Sequence, residues 1–306
     1  MNNLLTKSSL LLCAKLATTA LGFLFHMMLA RQLSVEDFGL FSLALTCLVF
    51  SSALAKQGID TAIVRYFSQE IDEKVPSLYY YVFIHSLVNV LVVSTILIVL
   101  APFISATLLN TVELTELFPC LIALTFSQIL LSLNSNALKG RKHPLSSLLF
   151  TGGVTFFFAI VLLLYSQPKT ALQALQLFFY SVTIASLLSF AVVYKKLHLI
   201  FIPIHSKQET KISAFVGTSR VLFFSSIASI LTQQFAILIL AKFSSLADVA
   251  IYSIALKISL LMSYPLIVLN TITAPKYAKM YIEGDIVAFK QLAWFTTKAL
   301  AAVATI

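Results

Sequence analysis

The sequence predicts an all-α fold: a polytopic transmembrane helix bundle with two pseudo-symmetric lobes around a central cavity, the second lobe incomplete. Three observations carry this. Hydrophobic residues make up 59% of the 306 positions and charged residues 11%, with a mean hydropathy of +0.95, whereas a soluble domain carries about 25% charged residues. The apolar residues fall in long runs, and a bilayer core of about 30 Å needs about 20 helical residues. The third observation is an internal repeat. Residues 29–45, LARQLSVEDFGLFSLAL, align without a gap on 240–256, LAKFSSLADVAIYSIAL, at an offset of 211. Leu29, Ala30, Ser34, Asp37, Ser42, Ala44 and Leu45 recur as Leu240, Ala241, Ser245, Asp248, Ser253, Ala255 and Leu256. Arg31 and Phe41 recur as Lys242 and Tyr252, and Arg65-Tyr66 as Lys276-Tyr277. A long-period repeat in so apolar a chain means two similar bundles, and paired bundles are how many transporters build a central path.

The runs define eight spans, at 9–30, 38–56, 79–101, 115–137, 147–166, 171–193, 217–241 and 247–272, with a ninth opening near 288. No A-x-A-type cleavage site follows the first run, so it is a retained helix rather than a signal peptide. The loops alternate in charge. One set holds Lys56, Arg65 and Lys74, then Lys139, Arg141 and Lys142, then Lys195, Lys196, Lys207 and Lys211, then Lys276, Lys279 and Lys290. The other holds Arg31, no cation in 102–114, Lys169 and Lys242. The positive-inside rule assigns the first set and the amino terminus to the cytoplasm.

Segment 57–74 is amphipathic and charged. It continues the second helix into the interface or lies along the membrane surface, and the repeat predicts the same for 275–287. Pro265 should kink or break the eighth span. The polar stretch 194–216 divides an amino-terminal six-helix lobe, 1–205, from a partial carboxy-terminal lobe, 206–306. The offset makes the seventh span the counterpart of the first. A complete second bundle would need about six spans, so the chain is expected to be carboxy-terminally truncated.

The net charge of +9 and pI near 9.4 would suggest nucleic acid in a soluble protein. Here most cations sit in loops between apolar spans and read as topology signals, so no nucleic-acid partner is expected. Cys13, Cys47 and Cys120 lie in apolar runs and read as small hydrophobes, not as a disulfide framework or metal site.

Leu29-Ala30-Arg31, Glu36-Asp37, Phe38-Gly39-Leu40-Phe41-Ser42 and the segment Gly58 through Tyr66 together resemble the amino-terminal region of polysaccharide-type flippases. These belong to the multidrug/oligosaccharidyl-lipid/polysaccharide exporter superfamily. The resemblance extends over essentially the whole chain, although the family usually has twelve to fourteen helices. It implies translocation of an undecaprenyl-pyrophosphate-linked oligosaccharide, most commonly an O-antigen unit, across the bacterial inner membrane for surface polysaccharide synthesis. It implies as partners the lipid-linked substrate, membrane lipids, a polysaccharide polymerase and a chain-length regulator. No cofactor is implied. It also places the first, second, seventh and eighth helices around the central cleft.

The twelve acidic residues lie in loops or at span ends, whereas Lys15, Lys257 and Lys298 lie well inside apolar runs. A lysine at mid-bilayer costs about 2.5–3.5 kcal/mol, and ammonium groups in a lumen without anions suit an anionic cargo such as pyrophosphate. Lys15, Thr19, Gly22 and His26 share a helix face, as do Ser253, Lys257 and Tyr264. Gln233 and Gln234 add polar atoms. The candidate substrate-binding residues are Lys257, Lys15, Lys298, Arg220 and His26. Lys15 and Arg220 lie near span ends, where they can also snorkel. His85, Asn89, Gln128, Asn134 and Asn136 read as packing or helix-linking residues.

No H-E-x-x-H, G-x-x-x-x-G-K-[ST], G-x-S-x-G or acidic metal cluster occurs, so neither an enzyme nor a nucleotide-driven pump is expected. A multidrug antiporter of the same superfamily would be expected to bury acids in its lumen. A polymerase or lipid-linked glycosyltransferase usually carries a large outer loop or a catalytic acid. A fragment without activity is the remaining alternative.

Overall fold

The computed structural model describes residues 2–69, 75–197, 209–262, 273, 280 and 285–304. Among them every regular element is helical. In chain order they are α1 (Asn2–Gln32), α2 (Val35–Lys56), α3 (Ile59–Gln69) and α4 (Val75–Pro102), which runs on through a π-helical turn at Phe103–Leu108. Then come α5 (Leu114–Gly140), α6 (Pro144–Leu148), a second π-helical turn (Leu149–Val154), α7 (Thr155–Ser166) and α8 (Ala171–Lys196). The last are α9 (Glu209–Phe243), α10 (Leu246–Met262) and α11 (Ile286–Ala304).

Seven helices among the described residues are long and apolar enough to cross a bilayer, from Leu10–Gln32 through Ala214–Phe243. They coincide with the first seven spans expected from the sequence. The eighth is represented by α10. Its remainder lies outside the described residues, as do Pro265, most of 275–287 and the lobe boundary at 205–206. α11 begins beside the ninth opening. The chain divides into two compact units, 1–253 and 254–306.

Within the first unit, the loop between the first two spans is set by helix capping. Ser34 is the N-cap of α2, and its Oγ accepts the Asp37 amide at 3.0 Å. The repeat reproduces this at α10, where Ser245 Oγ accepts the Asp248 amide at 3.2 Å. There Asp248 Oδ2 also accepts the Ser245 amide at 3.1 Å, the reciprocal pairing that satisfies a helix's first donors. Ser253 Oγ donates to Ser42 Oγ at 3.0 Å. These two residues are equivalent under the 211-residue offset. Gly39 makes this approach possible, because a Cβ there would strike the Leu246 carbonyl.

α5 is the central helix, packed against α8, α3, α4 and α2. Its small and polar residues carry the links. Thr125 Oγ1 lies 2.9 Å from Ser51 Oγ on α2, and Ser127 Oγ 2.9 Å from Thr183 Oγ1 on α8. Asn134 accepts the Tyr79 hydroxyl of α4 at 2.6 Å and donates to Ser189 Oγ of α8 at 2.9 Å. Asn134 and Asn136 thus link helices, as their type and position predict.

Within segment 57–74, the described residues 57–69 pack against the bundle. Gln57 and Gly58 adopt left-handed φ values of 48° and 76°, which turns the chain out of α2 and starts α3 as a separate helix. The apolar face of α3, Ile59, Ala62, Ile63 and Phe67, is buried in one core with Tyr79, Leu133, Ala137 and Phe215. Arg141 Nη1 donates to the Phe67 carbonyl at 3.1 Å, closing the end of α3 against the loop after α5. At the Ser34 end, the Ala171 amide of α8 donates to Asp37 Oδ1 at 2.9 Å. Cys13 is exposed and Cys47 and Cys120 are half-buried, all three as free thiols.

In the second unit, α11 carries Trp294 on its surface, with Lys298 Nζ 3.7 Å from the centre of its ring.

Gly58 tests this architecture. A Cβ there would meet the Ser219 carbonyl and the Phe223 amide of α9 while holding a left-handed φ. Gly58→Ala is expected to cost about 1–3 kcal/mol, read as a lowered thermal midpoint and a loss of monodisperse protein in detergent. Gly217→Ala, where a Cβ meets nothing within 4 Å, should leave both unchanged or improve them slightly.

Candidate functional site

A cavity of about 610 Å³ opens inside the first unit. Its longest wall is one face of α2. Leu45, Leu48, Val49, Ser52, Ala53 and Lys56 line it, at i, i+3, i+4, i+7, i+8 and i+11, the spacing of a helical stripe. Eleven residues of helix span about 16 Å, roughly half a bilayer core. Across from this stripe, α9 presents Ser225, Ser226, Ser229 and Ile230. One wall is therefore apolar for most of its length, and the other is rich in hydroxyls.

Toward the Ser34 end the wall is aromatic. His26 of α1, Phe156 of α7 and Phe178 of α8 line it. The Phe25 ring lies 5.8 Å from Phe178 and 5.9 Å from Phe156. His26 Nδ1 is 2.7 Å from the Gly22 carbonyl. A carbonyl can only accept, so Nδ1 carries a proton. Gly22 is buried because Phe156 stands where its Cβ would be.

Toward the other end the wall is charged. Lys56 Nζ lies 3.1 Å from Asp60 Oδ2, an i, i+4 pair spanning the turn from α2 to α3. Asp60 Oδ1 accepts Ser132 Oγ at 2.7 Å and Asn136 Nδ2 at 3.1 Å, both from α5. Gln128 of α5 and Thr61 of α3 complete this end. Ser52 stands one turn before Lys56. Only 5% of it is exposed, and its Oγ has no hydrogen-bond partner among the described residues.

Of the five residues singled out from sequence, His26 is on the cavity wall. Lys15 and Arg220 are exposed on the surface of the first unit and are not among the lining residues. Lys15 is nevertheless part of its helix's local bonding, its carbonyl accepting Thr18 Oγ1 and Thr19 Oγ1 at 3.0 and 2.9 Å. Lys257, half-buried on α10, and Lys298 on α11 both belong to the second unit.

Sequence reasoning missed Lys56, Asp60 and Ser52. Lys56 reads as a loop charge marking topology, and Asp60 as a residue outside any span. Both readings are true of the sequence, but the left-handed turn at Gln57-Gly58 carries α3 back against the bundle and places the pair on the cavity wall. The lumen accordingly contains a carboxylate. The signal that could have found the pair is the continuation of the Leu45–Ser52 stripe to Lys56, with the acid four residues further on.

Residues 4–280 match the model of a family whose description is polysaccharide biosynthesis protein. The chain belongs to that family and is a multi-pass membrane protein. No curated protein matches it. A solved structure, named only as protein A, is similar in fold, with a TM-score of 0.58 and 14% identity. The match covers 90% of this chain and 65% of that one, so the chain spans just under two thirds of that structure's length.

Water access to the cavity is open to direct measurement. With Cys13, Cys47 and Cys120 replaced, Ser229→Cys should react readily with a membrane-impermeant maleimide. Thr125→Cys, at the 1%-exposed position where Thr125 bonds α2, should stay unlabelled until the protein is denatured. Equal labelling of the two would contradict the cavity.

Proposed function

We propose that this protein flips an undecaprenyl-pyrophosphate-linked oligosaccharide across the bacterial inner membrane during surface polysaccharide synthesis, and that it is not an enzyme. The observation that carries the reading is the two-natured cavity. Apolar Leu45, Leu48 and Val49 suit an isoprenoid chain. The serines of α9 and Gln128 supply the hydrogen bonds that sugar hydroxyls lose on leaving water. The cation at one end suits a phosphate. Membership of the polysaccharide biosynthesis family supports a cargo of this class. The loop charges support an amino terminus in the cytoplasm, which puts the Lys56 end on the side where such lipid-linked units are assembled.

A multidrug antiporter is the competing reading. A cationic drug calls for an uncompensated carboxylate, and Asp60 is instead paired with Lys56 and held by two donors from α5. Among the described residues, the cavity wall thus offers a lipophilic cation no free negative charge. In our reading Lys257, Lys15, Lys298, Arg220 and His26 assist the anionic cargo, with Lys257 the foremost of them. A fixed cation offsets the desolvation of a phosphate entering low dielectric.

Expression in a strain lacking its own flippase tests this. In a full-length version, which should restore surface polysaccharide, Lys257→Ala should abolish that restoration, and Lys257→Arg should keep part of it. Protein level in the membrane fraction is the control, since an apolar residue is cheaper than lysine within a span. Full surface polysaccharide from the alanine variant would reject a cargo role for Lys257. Drug resistance without surface polysaccharide would favour the antiporter.

A further inference from the structure

We propose that the corner where the α5–α6 turn meets the end of α8 binds the headgroup of an anionic phospholipid from the surrounding bilayer, through Lys139, Lys142, Lys195 and Lys196. The site rests on the span ends and their charges, not on the flippase reading, and none of the four lysines is among the residues lining the cavity.

Helix ends build the corner. The His143 amide donates to the Leu138 carbonyl at 2.9 Å and the Lys142 amide to the Lys139 carbonyl at 3.2 Å. This is the Schellman pairing, whose left-handed residue is usually glycine. Here that residue is Lys142, with a φ of 62°. Among the described non-glycine residues with left-handed φ, it alone is charged. A lysine gives up conformational energy there that glycine would keep. What it adds is an ammonium at the exposed tip of the turn.

The second limb is α8, which ends on Lys195 and Lys196. Lys196 Nζ donates to Ser146 Oγ of α6 at 3.2 Å, which joins the end of α8 to the chain just past the turn. His143 feels both limbs. Partial burial, then the charges of Lys196 and Arg141, hold its imidazole below the usual histidine value. Among the described residues, no carboxylate forms an ion pair with any of the four lysines. The corner is therefore a standing excess of positive charge.

Height identifies the ligand. The spans Leu114–Gly140 and Ala171–Lys196 end here and Pro144–Ser166 begins here, so the ammonium groups stand at the level of lipid headgroups. Tyr194, 58% exposed, is a residue type enriched at that level. Leu149 and Leu187, further along their spans, are exposed apolar side chains at acyl-chain depth. An acidic polypeptide could use only the lysines, whereas a phospholipid uses the lysines and the apolar surface beneath them. Clustered lysines just outside spans are what anionic headgroups favour.

The test is native mass spectrometry of the full chain in neutral detergent, titrated with phosphatidylglycerol and, separately, with phosphatidylcholine. The wild type should prefer phosphatidylglycerol at least about tenfold. Lys142→Gln and Lys196→Gln should each weaken that binding about fivefold, the worth of one lysine near an anionic surface. Lys142→Arg keeps the charge and should stay within about threefold. Lys169→Gln removes an exposed lysine from the turn before α8 and should change nothing. Lys142→Gly separates binding from folding. It should raise the thermal midpoint without lipid, because glycine accepts the left-handed φ, while shrinking the further rise that phosphatidylglycerol produces. Unchanged phosphatidylglycerol binding in both glutamine variants, or equal weakening in Lys169→Gln, would overturn the site. An undiminished lipid-induced rise in Lys142→Gly would overturn the part given to Lys142. Displacement of the lipid by hexaglutamate at equal concentration would assign the corner to an acidic polypeptide and overturn the lipid assignment.

Discussion

The buried hydrogen-bonding seam along α5 holds the first unit in register. Within a bilayer, lipid tails are as apolar as leucine, so helices gain little by merely burying apolar faces against one another. Close approach of small residues and interhelical hydrogen bonds take over. Thr125, Ser127, Ser132, Asn134 and Asn136 reach α2, α8, α3 and α4 in turn. Each such bond contributes about 0.6 kcal/mol on average, so no single one is decisive. Their order along one helix fixes which neighbour sits at which height.

The same seam also builds the cavity's charged end. Ser132 and Asn136 face α3, and what they hold is the Asp60 carboxylate. The carboxylate in turn holds Lys56 at the last turn of α2. A structural device, the docking of α3 onto α5, thus positions a charge pair on the wall of the cavity. Burial of Ile59, Ile63 and Phe67 supplies the driving force for docking, and the polar atoms set its register.

The repeat has a physical consequence at the Ser42–Ser253 contact. Equivalent positions meet there, and small side chains are what allow it: Gly39, Ser42, Ala250 and Ser253 lie along the approach. The matching Ser–Asp caps at 34–37 and 245–248 start both helices in the same way. Local chemistry thus recurs where the chain must begin equivalent elements.

The sequence by itself determined the all-α membrane class, the first seven spans, the sorting of loop charges and the repeat. All of these depend on composition and on short-range periodicity, which a linear chain displays directly. It also marked His26, whose i, i+4 and i+11 relations to Gly22 and Lys15 follow from helix geometry, although of that stripe only His26 is among the cavity's lining residues. Tertiary structure alone decided the charged end of the site. Lys56 and Asp60 belong to different helices separated by a left-handed turn, and their partners Ser132 and Asn136 lie more than seventy residues away. Linear spacing extends the α2 stripe to Lys56 but does not show that Asp60 and its α5 partners meet it on a cavity wall. That meeting arises from the fold-back of α3, driven by long-range burial of its apolar face against α5 and α9.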